Sequence, residues 1–154
     1  MADITKRTRR RVGRYLDAGE IIEIALLCEP RGTHGKGMFQ LALAPGPGQK
    51  AMNERQRRRR ADQIGIVEMF PAEPCVVAVS ADRFLAFPSN GLHFRRPSLA
   101  IPRIQVLVGE VGRRGLGHLV QFVFRDGSGI DVDVQMGQPV AKLVAALGTV
   151  APIR

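Results

Sequence analysis

Tryptophan is absent from this sequence of 154 residues, which contains one tyrosine and seven phenylalanines. Since the hydrophobic fraction is 45%, we expect a folded domain whose core consists mainly of valine, leucine and isoleucine. Long apolar runs are also missing, and none approaches the ~20 residues that a membrane-spanning helix needs. No apolar segment follows the basic N-terminus, so we expect no secretory leader and a cytoplasmic location.

The chain has few cysteines and no ligand spacing typical of a metal site. Cys28 and Cys75 are the only two, and both fall in apolar runs, so we expect small buried thiols. His34, His93 and His118 are isolated from one another and from either cysteine, so we expect them at the surface. The sequence therefore predicts neither a metal nor a cofactor.

Catalytic motifs are equally scarce. The string GTHGKG (32–37) lacks the spacing of a Walker loop and reads as a hairpin loop or a weak anion cradle, and no serine lies in a nucleophile elbow. Asp131 and Asp133 would be about 7 Å apart along one strand, which suits a metal or a glycosidic bond. They alternate with valines, however, as residues of a solvated strand face do. We therefore predict a protein that is not an enzyme.

Positive charge is abundant and unevenly distributed. The net charge is +9, and two segments, residues 1–14 and 50–60, each carry six basic residues and one acidic residue. The rest of the chain has 11 basic and 12 acidic residues and is nearly neutral. This distribution is typical of docking segments on a neutral body. From the two segments we predict as binding residues Arg7, Arg9, Arg10, Arg11, Arg55, Arg57, Arg58, Arg59 and Arg60.

The apolar pattern predicts an antiparallel sheet followed by one helix. Alternating or fully apolar runs predict strands at 21–28, 38–44, 75–80, 83–87, 101–111, 118–124 and 130–134. The run CVVAVS (75–80) suits a strand covered on both faces. Residues 140–147 repeat apolar side chains at helical spacing after Pro139, which predicts an amphipathic helix that ends at Gly148.

Two basic segments and one loop lie outside this pattern. Residues 1–14 have little apolar content, so we expect a basic arm or a frayed helix, with the packed region beginning at Tyr15. Residues at about 45–63 combine good helix formers with almost no apolar stripe, which predicts a basic helical insertion. The predicted loop 29–37, between the first two strands, carries Arg31 and Lys36.

The order of elements resembles that of a known family. VVAVSADRFLAF (76–87), DGSGIDV (126–132) and QPVAKLVAALG (138–148) are arranged as in a bacterial pleckstrin-homology (PH)-like domain. The resemblance implies an α+β protein over residues 15–154, with a partly open β-barrel of about seven antiparallel strands capped by one C-terminal amphipathic helix. It implies a binding scaffold without catalysis. In lipid-binding members, basic residues of the first hairpin loop hold phosphates, and Arg31 and Lys36 occupy a comparable loop here.

Three functions stay open at this point. The first is a docking module that binds an acidic surface, either an anionic membrane by peripheral attachment or an acidic protein. The second is a nucleic-acid-associated or ribosome-associated protein that uses the two arginine segments as phosphate clamps, with an affinity that falls steeply with salt. The third is an enzyme that acts through Asp131 with Asp133 or through a histidine.

Overall fold

Residues 4–34 and 65–150 are described by the structure, a computed structural model, and they form seven strands and two α-helices. The elements in chain order are α1 (Thr5–Arg11), β1 (Ile22–His34), β2 (Cys75–Ser80), β3 (Arg83–Pro88), β4 (Leu99–Pro102), β5 (Val106–Arg114), β6 (Gly117–Phe124), β7 (Gly129–Val134) and α2 (Val140–Leu147). Short 3-10 turns occur at Gly13–Tyr15, Ile66–Met69 and Arg103–Gln105. In these ranges no helix is long and apolar enough to cross a membrane.

All seven strands join one antiparallel sheet in the order β4-β3-β2-β1-β7-β6-β5. β1 is central, because it pairs with β2 from Ile22 to Cys28 and with β7 from Cys28 to His34. The sheet curls strongly, since the rings of Phe84 on β3 and Phe122 on β6 are 5.2 Å apart although three strands lie between them. It is not closed, because no ladder in the described part of the chain joins β4 to β5. The predicted antiparallel sheet with a C-terminal helix is confirmed.

The concave face encloses the larger core. Its buried residues on β6 and β7 are the alternate positions that the pattern predicted, Val120, Phe122, Phe124, Ile130, Val132 and Val134. α2 covers this core with Val140, Leu143 and Leu147 and ends at Gly148, as predicted. Burial of the apolar stripe of α2 is what stabilises so short a helix.

A second core lies on the outer face of β1, β2 and β3, which explains why every residue of β2 is buried. α1 lies across this face, and the residues that cap its two ends, Ile4 and Val12, are both buried there. The structure differs here from the expected arm, because packing begins at Ile4 and not at Tyr15. A segment with few apolar residues can form a helix here because the sheet supplies the apolar surface that the segment lacks.

β1 is longer than the sequence pattern predicted. It continues past Cys28 to His34, through residues that were expected to form a loop. β7 pairs with this second half, and a register shift between Pro30 and Gly32 accommodates the proline, which has no N–H to donate. The predicted loop is therefore wrong for residues 29–34. The predicted strand 38–44 and the predicted insertion at about 45–63 lie outside the described residues.

The predicted strand 101–111 is divided in two. β4 ends, a 3-10 turn follows, and β5 begins on the opposite edge of the sheet. Arg103 holds the chain where it passes from one edge of the sheet to the other. Its guanidinium donates hydrogen bonds to the backbone oxygens of Ser80, at 3.1 Å, and Ala146. Ile104 is consequently 68% exposed, whereas Val108, which follows it in the same apolar alternation, is buried.

Candidate anion-binding face

α1 is held to the sheet by polar as well as apolar contacts. The backbone N–H of Ala25 donates to Thr5 Oγ1 at 3.2 Å, and Thr8 Oγ1 donates to the carbonyl oxygen of Ile4 at 2.9 Å. Both threonines are buried, so these bonds satisfy hydroxyl groups that would otherwise be costly to remove from water. The buried side of the helix therefore consists of small residues, and its long side chains lie on the other sides.

Two of the predicted binding residues anchor this helix. Arg7 Nη1 donates to the carbonyl oxygen of Gly91 at 3.2 Å. Arg9 donates to the carbonyl oxygens of Ile22 and Glu23 at the start of β1, the second at 3.4 Å. Because both guanidinium groups bind backbone oxygens, they position α1 against β1 and against the loop after β3.

The loop after β3 forms a wall opposite the end of α1. Asn90 Oδ1 accepts hydrogen bonds from the backbone N–H groups of Leu92 at 2.9 Å and His93 at 3.0 Å. Such bonds from an asparagine to the following backbone define a tight turn. Phe94 is buried next to Phe87, with ring centroids 6.0 Å apart, so the loop is fixed to the outer core.

An open cleft of about 490 Å³ lies between α1 and this loop. Its lining residues, which we call the cationic cleft, are Arg10, Arg11, Gly13, Arg14, Leu92, His93 and Phe94. The three arginines and His93 are exposed, and no carboxylate is among the lining residues. Leu92 is 54% exposed in their midst. Three guanidinium groups and one imidazole therefore border a space large enough for a substituted phosphate group.

The arginines of the cleft also suit their places in the local structure. Arg10 and Arg11 belong to the last turn of α1, where cations interact favourably with the helix dipole. The guanidinium of Arg14 lies 4.8 Å from the centre of the Tyr15 ring, which in turn packs near Phe87. Arginine remains charged and presents several coplanar N–H donors, which match the oxygens of phosphate and carboxylate. The cleft is thus chemically suited to bind these anions.

Arg31, a further predicted site residue that the structure describes, does not join the cleft. Arg31 lies on β1 and forms an ion pair with Asp133 of β7, and this carboxylate raises the pKa of the Arg31 guanidinium. The expectation that Arg31 lies in a phosphate-binding hairpin loop is therefore wrong, because the ladder between β1 and β7 replaces that loop. Lys36 and the arginines of the segment 55–60 lie outside the described residues.

Sequence reasoning missed half of the cleft. The dipeptide at Asn90 and Gly91 indicates a turn, but a turn signal does not reveal which element the loop faces. Leu92 and His93 meet α1 only because the outer core brings together segments that are far apart in the sequence. Arg14 was counted in the basic segment 1–14, but its place in the cleft depends on the 3-10 turn that follows α1.

Other reactive or acidic groups are engaged in structural contacts. Cys28 and Cys75 are opposite each other on β1 and β2, with Sγ atoms 3.6 Å apart, and both are buried as predicted. Contact with Cys75 and burial raise the pKa of the Cys28 thiol, which lowers its reactivity at neutral pH. Asp131 accepts a hydrogen bond from Gln121 Nε2 at 3.1 Å. Within residues 4–34 and 65–150, no group of three or more His, Cys, Asp or Glu side chains could hold a metal ion.

No protein-family model matches the chain, and no curated protein is detectably similar to it. The PH-like family suggested by the order of elements therefore stays a prediction.

Proposed function

We propose that this protein is a non-enzymatic docking module that binds an anionic membrane surface through the cationic cleft. The observation that carries the proposal is the convergence of Arg10, Arg11, Arg14 and His93 around an open space without a carboxylate. Cationic side chains close to an anionic bilayer each contribute about 1 kcal/mol of attraction. The proposal includes a cytoplasmic location with peripheral attachment to the membrane.

We propose further that the domain is PH-like. Support comes from the strand order, from the central β1 that is shared by two halves of the sheet, and from the single helix after the last strand. A curled sheet that is not closed fits the partly open barrel of that family. The ligand site proposed here lies on α1 and the loop after β3, and not in the first hairpin loop.

Leu92 favours a membrane over a nucleic acid as the partner. An exposed leucine among arginines can enter the boundary between headgroups and acyl chains, where apolar burial adds to electrostatic attraction. Proteins that bind single strands usually stack bases on exposed aromatic rings. Phe94, the aromatic residue of the cleft, is instead buried next to Phe87. Binding to a nucleic-acid backbone is the alternative that a test must separate.

The second basic segment would strengthen the same attraction. Residues 50–60 contribute a net charge of +5, and Lys36 adds another cation. We expect these side chains to act through their charge, so their contribution should decrease as added salt screens it. The cationic cleft, with its fixed walls, should determine where the membrane is bound.

Co-sedimentation with vesicles tests the proposal. The double variant Arg10→Ser/Arg11→Ser removes two cations from the cleft, and Arg125→Ser/Lys142→Ser is a matched control that removes the same charge elsewhere, because Arg125 lines a different cleft beside Leu147 of α2. On vesicles of phosphatidylcholine with phosphatidylserine, the cleft variant should bind about 30-fold more weakly than the parent protein. The control should lose less than about threefold, since its charges lie farther from the bound membrane.

Parallel titrations with duplex DNA and with RNA separate the alternatives. Steeply salt-dependent binding to nucleic acid, without binding to vesicles, would replace the proposal with the nucleic-acid hypothesis. Equal losses in the two double variants would mean that net charge drives binding and the cleft does not. If the protein bound neither vesicles nor nucleic acid, an acidic protein would become the best candidate partner.

A further inference from the structure

The tip of the hairpin between β5 and β6 carries the most exposed large apolar side chain of the described residues. Leu116 at this tip is 82% exposed, and Met136, in the turn after β7, is 59% exposed. Arg113 of β5 is exposed close to the tip. Single apolar residues on a surface are ordinary, but apolar side chains grouped beside a cation are typical of an interaction site.

Close backbone contact fixes the hairpin tip beside the turn after β7. A Cβ atom added at Gly117 would lie 2.3 Å from the carbonyl oxygen of Val134 and 3.5 Å from Cα of Gln135. Only glycine permits this approach, so the hairpin tip and the end of β7 are held together. Leu116 and Met136 therefore emerge from neighbouring stretches of backbone.

A series of direct contacts connects this tip with the cationic cleft. The turn after β7 leads to Gln138, whose Oε1 accepts a hydrogen bond from the backbone N–H of Leu27 at 3.2 Å. The side chain of Leu27 also approaches the loop after β3, because Leu27 Cδ2 lies 3.6 Å from the position that a Cβ atom at Gly91 would occupy. Gly91 precedes Leu92 of the cleft. The hairpin tip and the turn after β7 are thus linked, through Gln138 and Leu27, to the loop that carries Leu92.

We propose that Leu92, Met136 and Leu116, together called the apolar strip, insert into an anionic bilayer when the protein docks. This inference rests on the membrane docking proposed above. Charge complementarity favours an anionic bilayer as the partner of this strip. The arginines of the cationic cleft border one end of the strip, and Arg113 borders the other. The cations would bind lipid phosphates while the apolar side chains enter the boundary between headgroups and acyl chains.

The absence of tryptophan makes the apolar strip directly testable by fluorescence. Leu116→Trp and Met136→Trp each place a single fluorophore in the strip. Ile104→Trp is the matched control, because Ile104 is 68% exposed but lines a different cleft, beside Asp82 and Arg125. Each variant is mixed with vesicles that contain phosphatidylserine and brominated acyl chains. Both strip variants should show emission at shorter wavelength and strong quenching, and the control should show neither.

Affinity provides a second readout. Leu116→Ser should bind these vesicles about tenfold more weakly, with an unchanged circular dichroism spectrum because the side chain is exposed. If Leu116→Trp bound the vesicles but its emission and quenching equalled those of Ile104→Trp, the strip would not insert; the inference would be overturned and the cleft proposal would stand. If the parent protein did not bind the vesicles at all, both proposals would be wrong.

Discussion

The two helices lie on opposite faces of one sheet and are built in opposite ways. α2 covers the concave core with three apolar residues, Val140, Leu143 and Leu147. α1 covers the outer core with only Ile4 and Val12, fills the remaining buried positions with threonine, and carries arginines on its exposed sides. α2 therefore serves mainly to cover the core, whereas α1 both packs against the sheet and exposes positively charged side chains.

A short helix can therefore both pack against the sheet and present charged side chains to a partner. α1 needs few apolar anchors because Thr5 and Arg9 form hydrogen bonds with backbone groups of β1. Arg10 and Arg11 are then available to a ligand. Substitutions in α2 should therefore change stability alone, whereas substitutions in α1 should divide into those that change stability and those that change binding.

The largest expected effect comes from truncation at the centre of α2. Leu143 is completely buried, so Leu143→Ala should lower the free energy of unfolding by about 2–5 kcal/mol through lost burial and the remaining cavity. Lys142→Ala, at the adjacent exposed position, is the control and should change it by less than about 0.5 kcal/mol. Urea unfolding followed by circular dichroism measures both variants. Similar values for the two would show that α2 does not cap the core.

Truncation of a buried residue of α1 should have a smaller effect. Val12 is fully buried in the outer core, and Val12→Ala should lower the free energy of unfolding by about 2 kcal/mol. Arg11→Ala, at the preceding exposed position, should stay within about 0.5 kcal/mol of the parent protein. An unchanged unfolding curve for Val12→Ala would mean that α1 behaves as the loose arm suggested by its composition, and the contrast between the helices would then disappear.

Sequence patterns predicted most of the sheet and all of α2, because there the pattern reports burial directly. β6 and β7 alternate, β2 is apolar except for Ser80, and Gly148 ends α2. β1 was predicted too short because Pro30 and Gly32 are loop signals, whereas β7 pairs across them by means of a register shift. Pairing between segments so far apart in the sequence leaves no local pattern.

The candidate site could be predicted only in part. Charge density identified residues 1–14, but it could not distinguish Arg9, which binds backbone oxygens, from Arg10, which lines the cleft. The buried positions of α1 include Ile4, Thr8 and Val12, spaced every four residues, and with a threonine at the middle position this stripe is too weak to recognise. The opposite wall of the cleft depends on tertiary packing alone.

The ion pair between Glu20, which lies just before β1, and Arg83 of β3 should make a smaller contribution to stability that depends on pH. Arg83 binds the Glu20 carboxylate through Nε at 2.9 Å and through Nη2, and with the Ser80 hydroxyl it lowers the pKa of Glu20 to about 2. Because this folded-state pKa lies below the ordinary value of 4.5, the stabilisation is present above about pH 5 and is lost as the pH falls towards 2. Glu20→Gln should therefore lower the free energy of unfolding at neutral pH by about 1–2 kcal/mol, a value that contact with water keeps small.

Urea unfolding of the parent protein and of Glu20→Gln, at neutral pH and at about pH 3, measures this dependence. The difference between the two proteins should shrink at the lower pH. Glu68→Gln, at an exposed position, is the control and should differ little from the parent protein at either pH. A difference for Glu20→Gln that stayed constant with pH would contradict the assigned role of the ion pair with Arg83.

The smallest expected change in stability accompanies a loss of binding. Arg9 and Arg10 are adjacent and carry the same charge, but Arg9 donates to the carbonyl oxygens of Ile22 and Glu23, whereas Arg10 faces the cleft. Arg9→Ser should lower the free energy of unfolding by about 1 kcal/mol. Arg10→Ser should change it by less than about 0.5 kcal/mol while weakening vesicle binding about fivefold.

Arg10→Ser could even raise the free energy of unfolding slightly. Arg10, Arg11 and Arg14 repel one another, so loss of one cation relieves repulsion and offsets any loss of interaction with the helix dipole. A variant as stable as the parent protein that binds vesicles less tightly would show that the cleft arginines are not needed for the fold. If Arg10→Ser unfolded more easily than Arg9→Ser, the exposed arginines would belong to the scaffold, and the division of α1 into anchoring and binding residues would be wrong.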